Sequence, residues 1–274
     1  MIDTHCHLDV ARFDADRDEV LARAWAAGVT GLVIPAIGPS SWEPLLEWPR
    51  REPRVQVGLG IHPQLLPALD PADDERHLAR LDELLGGGGA IAVGECGLDG
   101  PSEPGAPMER QVRVLKAHFA LARKHHLPLL MHCLRAHPHL QQVLKDEAPV
   151  ECGILMHSYS GSHELVKFYL KHRCWFSFAG PVTFLEARKP LEALRAVPLD
   201  RLMAETDAPD QAPHPHRGER SEPAYVKLII EAMAAARAVE VEGFRRAITE
   251  TTTRFFGPPS HWANWEETRA DSGR

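Results

Sequence analysis

The sequence predicts an α/β fold, a (β/α)8 TIM barrel. Three observations lead there. Eight short apolar runs alternate with longer helical patterns, which implies right-handed βαβ units on a parallel sheet. The runs are apolar almost throughout, as strands covered on both faces must be. An open doubly wound sheet would carry a phosphate-binding fingerprint after its first strand, and none is present. The glycine run Gly86 to Gly89 precedes a strand instead of opening a helix, no G-K-[ST] follows it, and it reads as a turn.

In chain order, Ile2 to His7 is the first strand and Asp14 to Ala27 a helix ended by Gly28. Gly31 to Ala36 is the second strand, followed by a helix capped at Ser40 or Ser41 and running to about Trp48. Arg54 to His62 is the third, stopped by Pro63, with its helix over Asp73 to Leu85. Ala90 to Leu98 is the fourth, and the amphipathic run Met108 to His126 follows it. Leu129 to Cys133, Gly153 to Tyr159, Trp175 to Gly180 and Leu202 to Ala208 complete the eight. Helices at about Ala136 to Glu147, Ser162 to Lys171 and Leu185 to Arg195 fill the gaps, and two more, Glu222 to Val239 and Glu242 to Phe255, close the chain. Residues 1–257 read as a single domain and 258–274 as a loosely held tail, with Trp262 and Trp265 packing on the outer helices.

The chain has 274 residues, 44% hydrophobic and 25% charged, within the range of a globular protein that buries a large core. No run reaches the length of a membrane span and no signal peptide opens the chain, which predicts a cytoplasmic protein. Five cysteines without a C-x-x-C pair read as reduced thiols. A net charge of -7 and 7% aromatic content argue against a nucleic-acid-binding module without chemistry, which needs a basic, aromatic-lined face. A small site made locally positive by metal ions remains open.

Of the 16 histidines, only convergent ones matter. His5 and His7 stand two apart, which on a strand puts both rings on one face. Glu95, His132, His157 and Asp207 each fall late in a later strand, where barrel enzymes build their sites. Each interrupts an apolar run, where an unpaired charge or imidazole would cost several kcal/mol. The pleat turns the adjacent Cys6, Cys96 and Cys133 away from the barrel axis, so they read as buried apolar residues packed toward the helices.

The chain resembles the TatD-type metal-dependent deoxyribonucleases of the amidohydrolase superfamily. The motifs that carry the resemblance run in order: I-D-T-H-C-H-L-D at Ile2 to Asp9, G-I-H-P at Gly60 to Pro63, V-G-E-C-G-L-D at Val93 to Asp99, and L-P-L-L-M-H at Leu127 to His132. Then come H-S-Y-S-G-S at His157 to Ser162, E-T-D-A-P at Glu205 to Pro209 and R-G-E-R-S-E-P at Arg217 to Pro223. The resemblance implies that His5, His7, Glu95 and Asp207 hold one divalent ion, and that Glu95 bridges to a second held by His132 and His157. It places His62 at the site's edge facing substrate phosphate. Arg217 and Arg220, in the loop after the last strand, are candidate phosphate contacts. Glu205, two residues before Asp207, either orients a ligand from one layer below or makes a buried ion pair in the core.

Four departures stand out. Cys133 and Leu134 follow His132 where H-S-R is common, Asp210 replaces an aromatic, Ser221 stands where R-x-N-E-P is usual, and Thr251 where an Asn is expected. All but Thr251 are expected near the substrate mouth.

The expected activity is hydrolysis of DNA phosphodiesters, at single-stranded or 3′ ends, by a metal-activated water, with Asp207 and Glu95 as catalytic carboxylates. Two divalent ions, Zn²⁺, Mg²⁺ or Mn²⁺, are the cofactors and no protein partner is required. Two alternatives are a binuclear hydrolase of a small cyclic amide, lactone or phosphoester, and a metal-binding protein without turnover. Against the first, no lysine stands late in strands four to six to serve as a carbamylated bridge; against the second, Asp207 is retained.

Overall fold

A computed structural model describes residues 1–101 and 105–257, so the expected tail with Trp262 and Trp265 lies outside the described residues. Eight parallel strands pair in sequence order: β1 (Ile2–Asp3), β2 (Gly31–Pro35), β3 (Val55–Leu59), β4 (Ala92–Asp99), β5 (Leu129–Leu134), β6 (Ile154–Met156), β7 (Cys174–Phe178) and β8 (Leu202–Ala204). The ring returns to its start through backbone hydrogen bonds. Thr4 N–H donates to Ala204 O at 3.2 Å, Asp207 N–H to His5 O at 2.9 Å, and His7 N–H to Ala208 O at 2.6 Å. This is a (β/α)8 barrel.

The helices are α1 (Arg17–Ala26), α2 (Trp42–Leu46), α3 (Trp48–Arg51), α4 (Asp74–Gly86), α5 (Met108–His125), α6 (His137–Asp146), α7 (His163–Lys171), α8 (Arg188–Ala196), α9 (Val226–Ala236) and α10 (Val241–Phe256). The helix expected to run to Trp48 stops at Leu46 and a second short one runs on from Trp48 to Arg51, because Pro49 lacks the donor that would continue the first. The helix expected from Glu222 starts four residues later, after a 3-10 turn over Pro223–Tyr225. Helix α5 ends at His126, whose left-handed φ of 53° turns the chain into β5.

Two apolar layers hold the barrel. Its interior is plugged by Ile2, Val33, Ala92, Leu130, Leu155 and Met203, with Phe255 of α10 below. The outer layer joins the opposite strand faces to the helices and contains Cys6, Cys96 and Cys133, as the pleat requires. Cys133 lies 3.4 Å from His137 Nδ1 on α6. No helix among the described residues is long and apolar enough to cross a membrane.

Several strands are shorter than their apolar runs, β3 among them, which stops at Leu59 before His62. β1 stops at Asp3, β6 at Met156 and β8 at Ala204, so His5, His7, His157 and Asp207 project from the turns just beyond the ladder. Ser158 and Asp207 take left-handed φ values of 41° and 52° there. Apolar residues continue past the last paired position because these turns are themselves buried, which periodicity alone does not distinguish from strand.

Candidate metal centre

Glu95 organises the site. β4 pairs with β5 at Val93 with Leu129 and next at Cys96 with Met131, so the intervening Gly94 and Glu95 form a bulge. Gly94 and Gly97, with φ of 138° and 151°, permit it: a Cβ on Gly97 would stand 2.0 Å from His132 O. Glu95 on this bulge is 1% exposed.

Five imidazoles meet this carboxylate. His5 Nε2 at 3.1 Å and His7 Nε2 at 3.3 Å face Oε2; His157 Nε2 at 2.8 Å, His62 Nε2 at 3.0 Å and His132 Nδ1 at 3.2 Å face Oε1. Asp207 Oδ1 closes the first side, 3.7 Å from both His5 Nε2 and His7 Nε2. The six side chains read as metal ligands therefore converge, although they arise from turns or strands spread over the whole chain.

His62 differs from its expected position. It is not at the edge: it sits on Glu95 at the same range as His132, 8% exposed, within a group of three (His62, Glu95 and His132) whose ligand atoms lie within 4.8 Å of one another. Its Nδ1 accepts the Gln64 N–H at 3.1 Å, which leaves Nε2 for the cluster.

The electrostatics follow from burial and proximity. Burial alone would raise the Glu95 carboxyl, but His62, His157 and His5 outweigh it and hold the carboxyl well below the usual range. Burial disfavours a charged His157, yet Glu95 and Glu205 push it well above an ordinary histidine. Against its burial, His7 is pushed up to about 9, chiefly by Glu95 and then by Asp207. His5 is lowered by burial and by His157, and His62 by burial against the pull of Glu95.

This donor set fits a divalent cation. His5 Nε2 stands 3.2 Å from His7 Nε2, and His132 Nδ1 3.2 Å from His157 Nε2. Ring nitrogens that close, facing carboxylate oxygens, repel unless a proton or a cation lies among them. The buried distal nitrogens are held more loosely, with His157 Nδ1 3.5 Å from Glu205 Oε1 and His132 Nε2 3.7 Å from Asp99 Oδ2. Carboxylates behind the histidines in this way orient ligand rings.

Glu205 is fully buried one layer below. It accepts from Ser158 N–H, Ser177 Oγ–H and, at 3.4 Å, Thr4 Oγ1–H, while facing His157. Both readings of Glu205, orienter and buried ion pair, describe the same contact.

The two arginines of the last loop do not reach the cavity. Arg220 is committed to Asp16 at 2.6 Å, donates to Arg12 O at 2.8 Å and lies over Phe13. Arg217 stacks on Phe184 with its guanidinium 4.4 Å from the ring centre. Both instead hold loops against their neighbours. Of the departures expected near the mouth, Cys133, Leu134 and Asp210 line the cavity, whereas Ser221 is fully buried behind it.

Sequence reasoning missed four contributors. Asp99 is 3% exposed, accepts from Gln64 and faces His132; its spacing of four from Glu95 on one strand face was a usable signal. Asp3, on the face of His5 and His7 by the same alternation, accepts from the Thr206 N–H at 2.9 Å and ties β1 to the β8 turn. Gln211 donates to Asp207 Oδ2 and accepts Ser158 Oγ–H at 2.9 Å. Arg12 lines the cavity paired with Asp210 at 2.6 Å. Nothing local in the sequence marks Gln211 or Arg12.

A family profile described as "TatD related DNase" matches residues 2–257. The chain is 34% identical over 256 residues to the "Uncharacterized metal-dependent hydrolase YabD" of Bacillus subtilis (strain 168), covering 93% of this chain and 98% of that protein. It is 30% identical over 262 residues to the "3'-5' ssDNA/RNA exonuclease TatD" of Salmonella typhimurium, covering 93% and 97%. The crystal structure of the TatD homologue YjjV from Escherichia coli K12 superposes with a TM-score of 0.86 at 27% identity, covering 93% of this chain and 97% of that one. By this profile match over nearly its whole length, and by these relatives, the chain belongs to the TatD family of metal-dependent hydrolases.

Proposed function

We propose that the chain is a deoxyribonuclease that hydrolyses phosphodiester bonds at single-stranded or 3′ ends of DNA, using two divalent ions. The observation that carries this reading is the single buried carboxylate of Glu95, whose Oε2 faces His5 and His7 and whose Oε1 faces His132 and His157. A carboxylate approached from two sides by separate nitrogen pairs suits a bridge between two ions. A relative that bears the name of an ssDNA/RNA exonuclease supports the choice of substrate.

His5, His7, Glu95 and Asp207 would hold one ion, and Glu95, His132 and His157 the other, with Zn²⁺, Mg²⁺ and Mn²⁺ as the candidates. When bound, the ions supply Lewis acidity and excess positive charge for the pentacoordinate phosphorus. The protein's own groups do the rest. Asp207, held at Oδ2 by Gln211, accepts the proton of the attacking water. Glu205, 3.5 Å from His157 Nδ1, would orient that ring once His157 holds an ion. His62, on the cavity wall, would face a substrate phosphate oxygen only by turning its Nε2 from Glu95 Oε1, since its Nδ1 accepts the Gln64 N–H.

The test is incubation of the protein, loaded in turn with each ion, with 5′-labelled single-stranded DNA and with a panel of lactones, cyclic amides and phosphomonoesters. A ladder of strands shortened from the 3′ end is expected. Intact DNA with turnover of a lactone, amide or monoester would overturn the nuclease reading and leave the hydrolase.

A further inference from the structure

The cavity above the metal centre has a volume of about 700 Å³. That is room for a drug-sized ligand, on the scale of about one to two nucleotides. Its wall is mostly apolar, built from side chains such as Leu65, Leu134, Phe178, Val182 and Pro190. Among the described residues, Arg12 is the one Lys or Arg on that wall. Arg217 and Arg220 are occupied elsewhere, and the chain as a whole is acidic, with a net charge of -7. A protein that tracks along a strand grips its backbone with a row of cations; this cavity wall, among the described residues, offers a single guanidinium.

Arg12 is held in place by its main chain and restrained at its side chain. Its carbonyl accepts from Arg220 Nη1 at 2.8 Å, and Arg220 is itself clamped by Asp16, so the short turn Ala11–Phe13 is fixed against the loop that follows β8. Its guanidinium reaches Asp210 at 2.6 Å across the mouth, and both side chains are largely exposed, at 51% and 72%. Asp210 also belongs to the turn of Asp207, with its N–H donating to Asp207 O at 2.9 Å. An exposed pair of this kind is weak and exchangeable, and a guanidinium accepts a phosphate in the same geometry as a carboxylate.

Resting on the nuclease reading, we propose that Arg12 is the cavity's single phosphate grip beyond the metal centre and that Asp210 competes with the substrate for it. The enzyme then takes the end of a strand, contacting one phosphate besides the scissile one, with the apolar wall against the terminal bases. It is a trimmer of ends and short oligonucleotides, and longer strands gain nothing by their length.

The experiment measures kcat and KM for a dinucleoside monophosphate, a trinucleotide and a 20-mer, over a range of KCl at fixed metal. In the wild type, kcat/KM is expected to rise from the dinucleotide to the trinucleotide and then stay level. For the longer substrates, the slope of its logarithm against log[salt] is expected near about -0.7, one single-strand contact. Arg12→Ala should raise KM for the trinucleotide and 20-mer about tenfold, flatten that slope, and leave kcat, metal content and the dinucleotide unaffected; Arg12→Lys should recover part of the loss. Asp210→Asn should lower KM about two- to fivefold. A kcat/KM that keeps climbing with length, a slope steeper than about -2, or an Arg12→Ala variant equal to wild type would overturn the proposal. Anisotropy with a fluorescent trinucleotide of non-hydrolysable linkages separates this from the nuclease reading. Binding weakened by Arg12→Ala in a protein that cleaves no phosphodiester removes the nuclease and keeps the grip. Equal binding by both proteins, or none by either, removes the grip.

Discussion

Gln211→Leu is the sharpest probe of how the site holds Asp207, the proton acceptor proposed above. The Gln211 amide donates to Asp207 Oδ2 and its oxygen accepts the Ser158 hydroxyl, while Ser158 N–H reaches Glu205, the partner of His157. This belt joins one side of the metal centre to the other. It is locked from outside by Gly180, where a Cβ would stand 1.8 Å from Gln211 O. Leucine keeps the bulk and removes both hydrogen bonds. A hydrogen bond to a charged group contributes about 1.5–3 kcal/mol, and losing it from the reacting geometry corresponds to a fall in kcat/KM of about 10- to 150-fold. The loss should appear mainly in kcat, since Asp207 would be free to rotate without altering the mouth. Steady-state kinetics on single-stranded DNA, with metal content and thermal melting measured in parallel, decides the matter. A variant within about twofold of wild type in kcat, with normal metal content, would refute the positioning role assigned to Gln211.

Two further predictions concern pH. His118 on α5 is fully buried, accepts the Ile61 N–H at 3.0 Å through Nε2, and faces Val114 O through Nδ1; burial pushes it down to about 4. The unfolded chain therefore binds this proton and the folded chain does not between about pH 6.5 and 4, so its contribution is complete above pH 6.5 and lost as pH falls, by about 3 kcal/mol in all. Denaturant melts at stepped pH should show a shallower acid loss in His118→Gln than in wild type, and parallel curves would count against the assignment. In the metal-free protein, His7 is raised to about 9, so near neutral pH a bound ion must displace its proton. Metal affinity should strengthen as pH rises toward about 9 and then level off, with proton release in calorimetry across buffers of different ionisation enthalpy. Affinity independent of pH from 6 to 9 would contradict the placement of His7 among the ligands.

The eight-unit barrel was legible because parallel strands must be apolar on both faces, and because polar residues inside such runs are costly enough to mark themselves. His5, His7, Glu95, His132, His157 and Asp207 were visible for that reason, and the structure brings them together. What the apolar runs concealed was where pairing stops. β6 and β8 end before His157 and Asp207, and the buried turns that follow read like strand. The mouth was less legible. Arg220 had the right residue type in the right loop, yet Asp16, distant in sequence, claims it. Arg12 takes its position where the loop after β1 meets the loop after β8, neighbours only once the barrel closes, and Gln211, four residues past Asp207, follows no strand or helix period. His62 was visible in its motif, but its closeness to Glu95 depends on where the β4 bulge carries the carboxylate.

Metal stoichiometry tests the central claim, that Glu95 is the shared centre of a site for divalent ions. Protein stripped with chelator, reloaded and desalted should carry two ions per chain by elemental analysis. Glu95→Gln keeps the shape but lacks the charge that five imidazoles face, and should lose at least one ion together with DNA hydrolysis. Two ions retained in Glu95→Gln, or none bound by the wild type, would contradict the account.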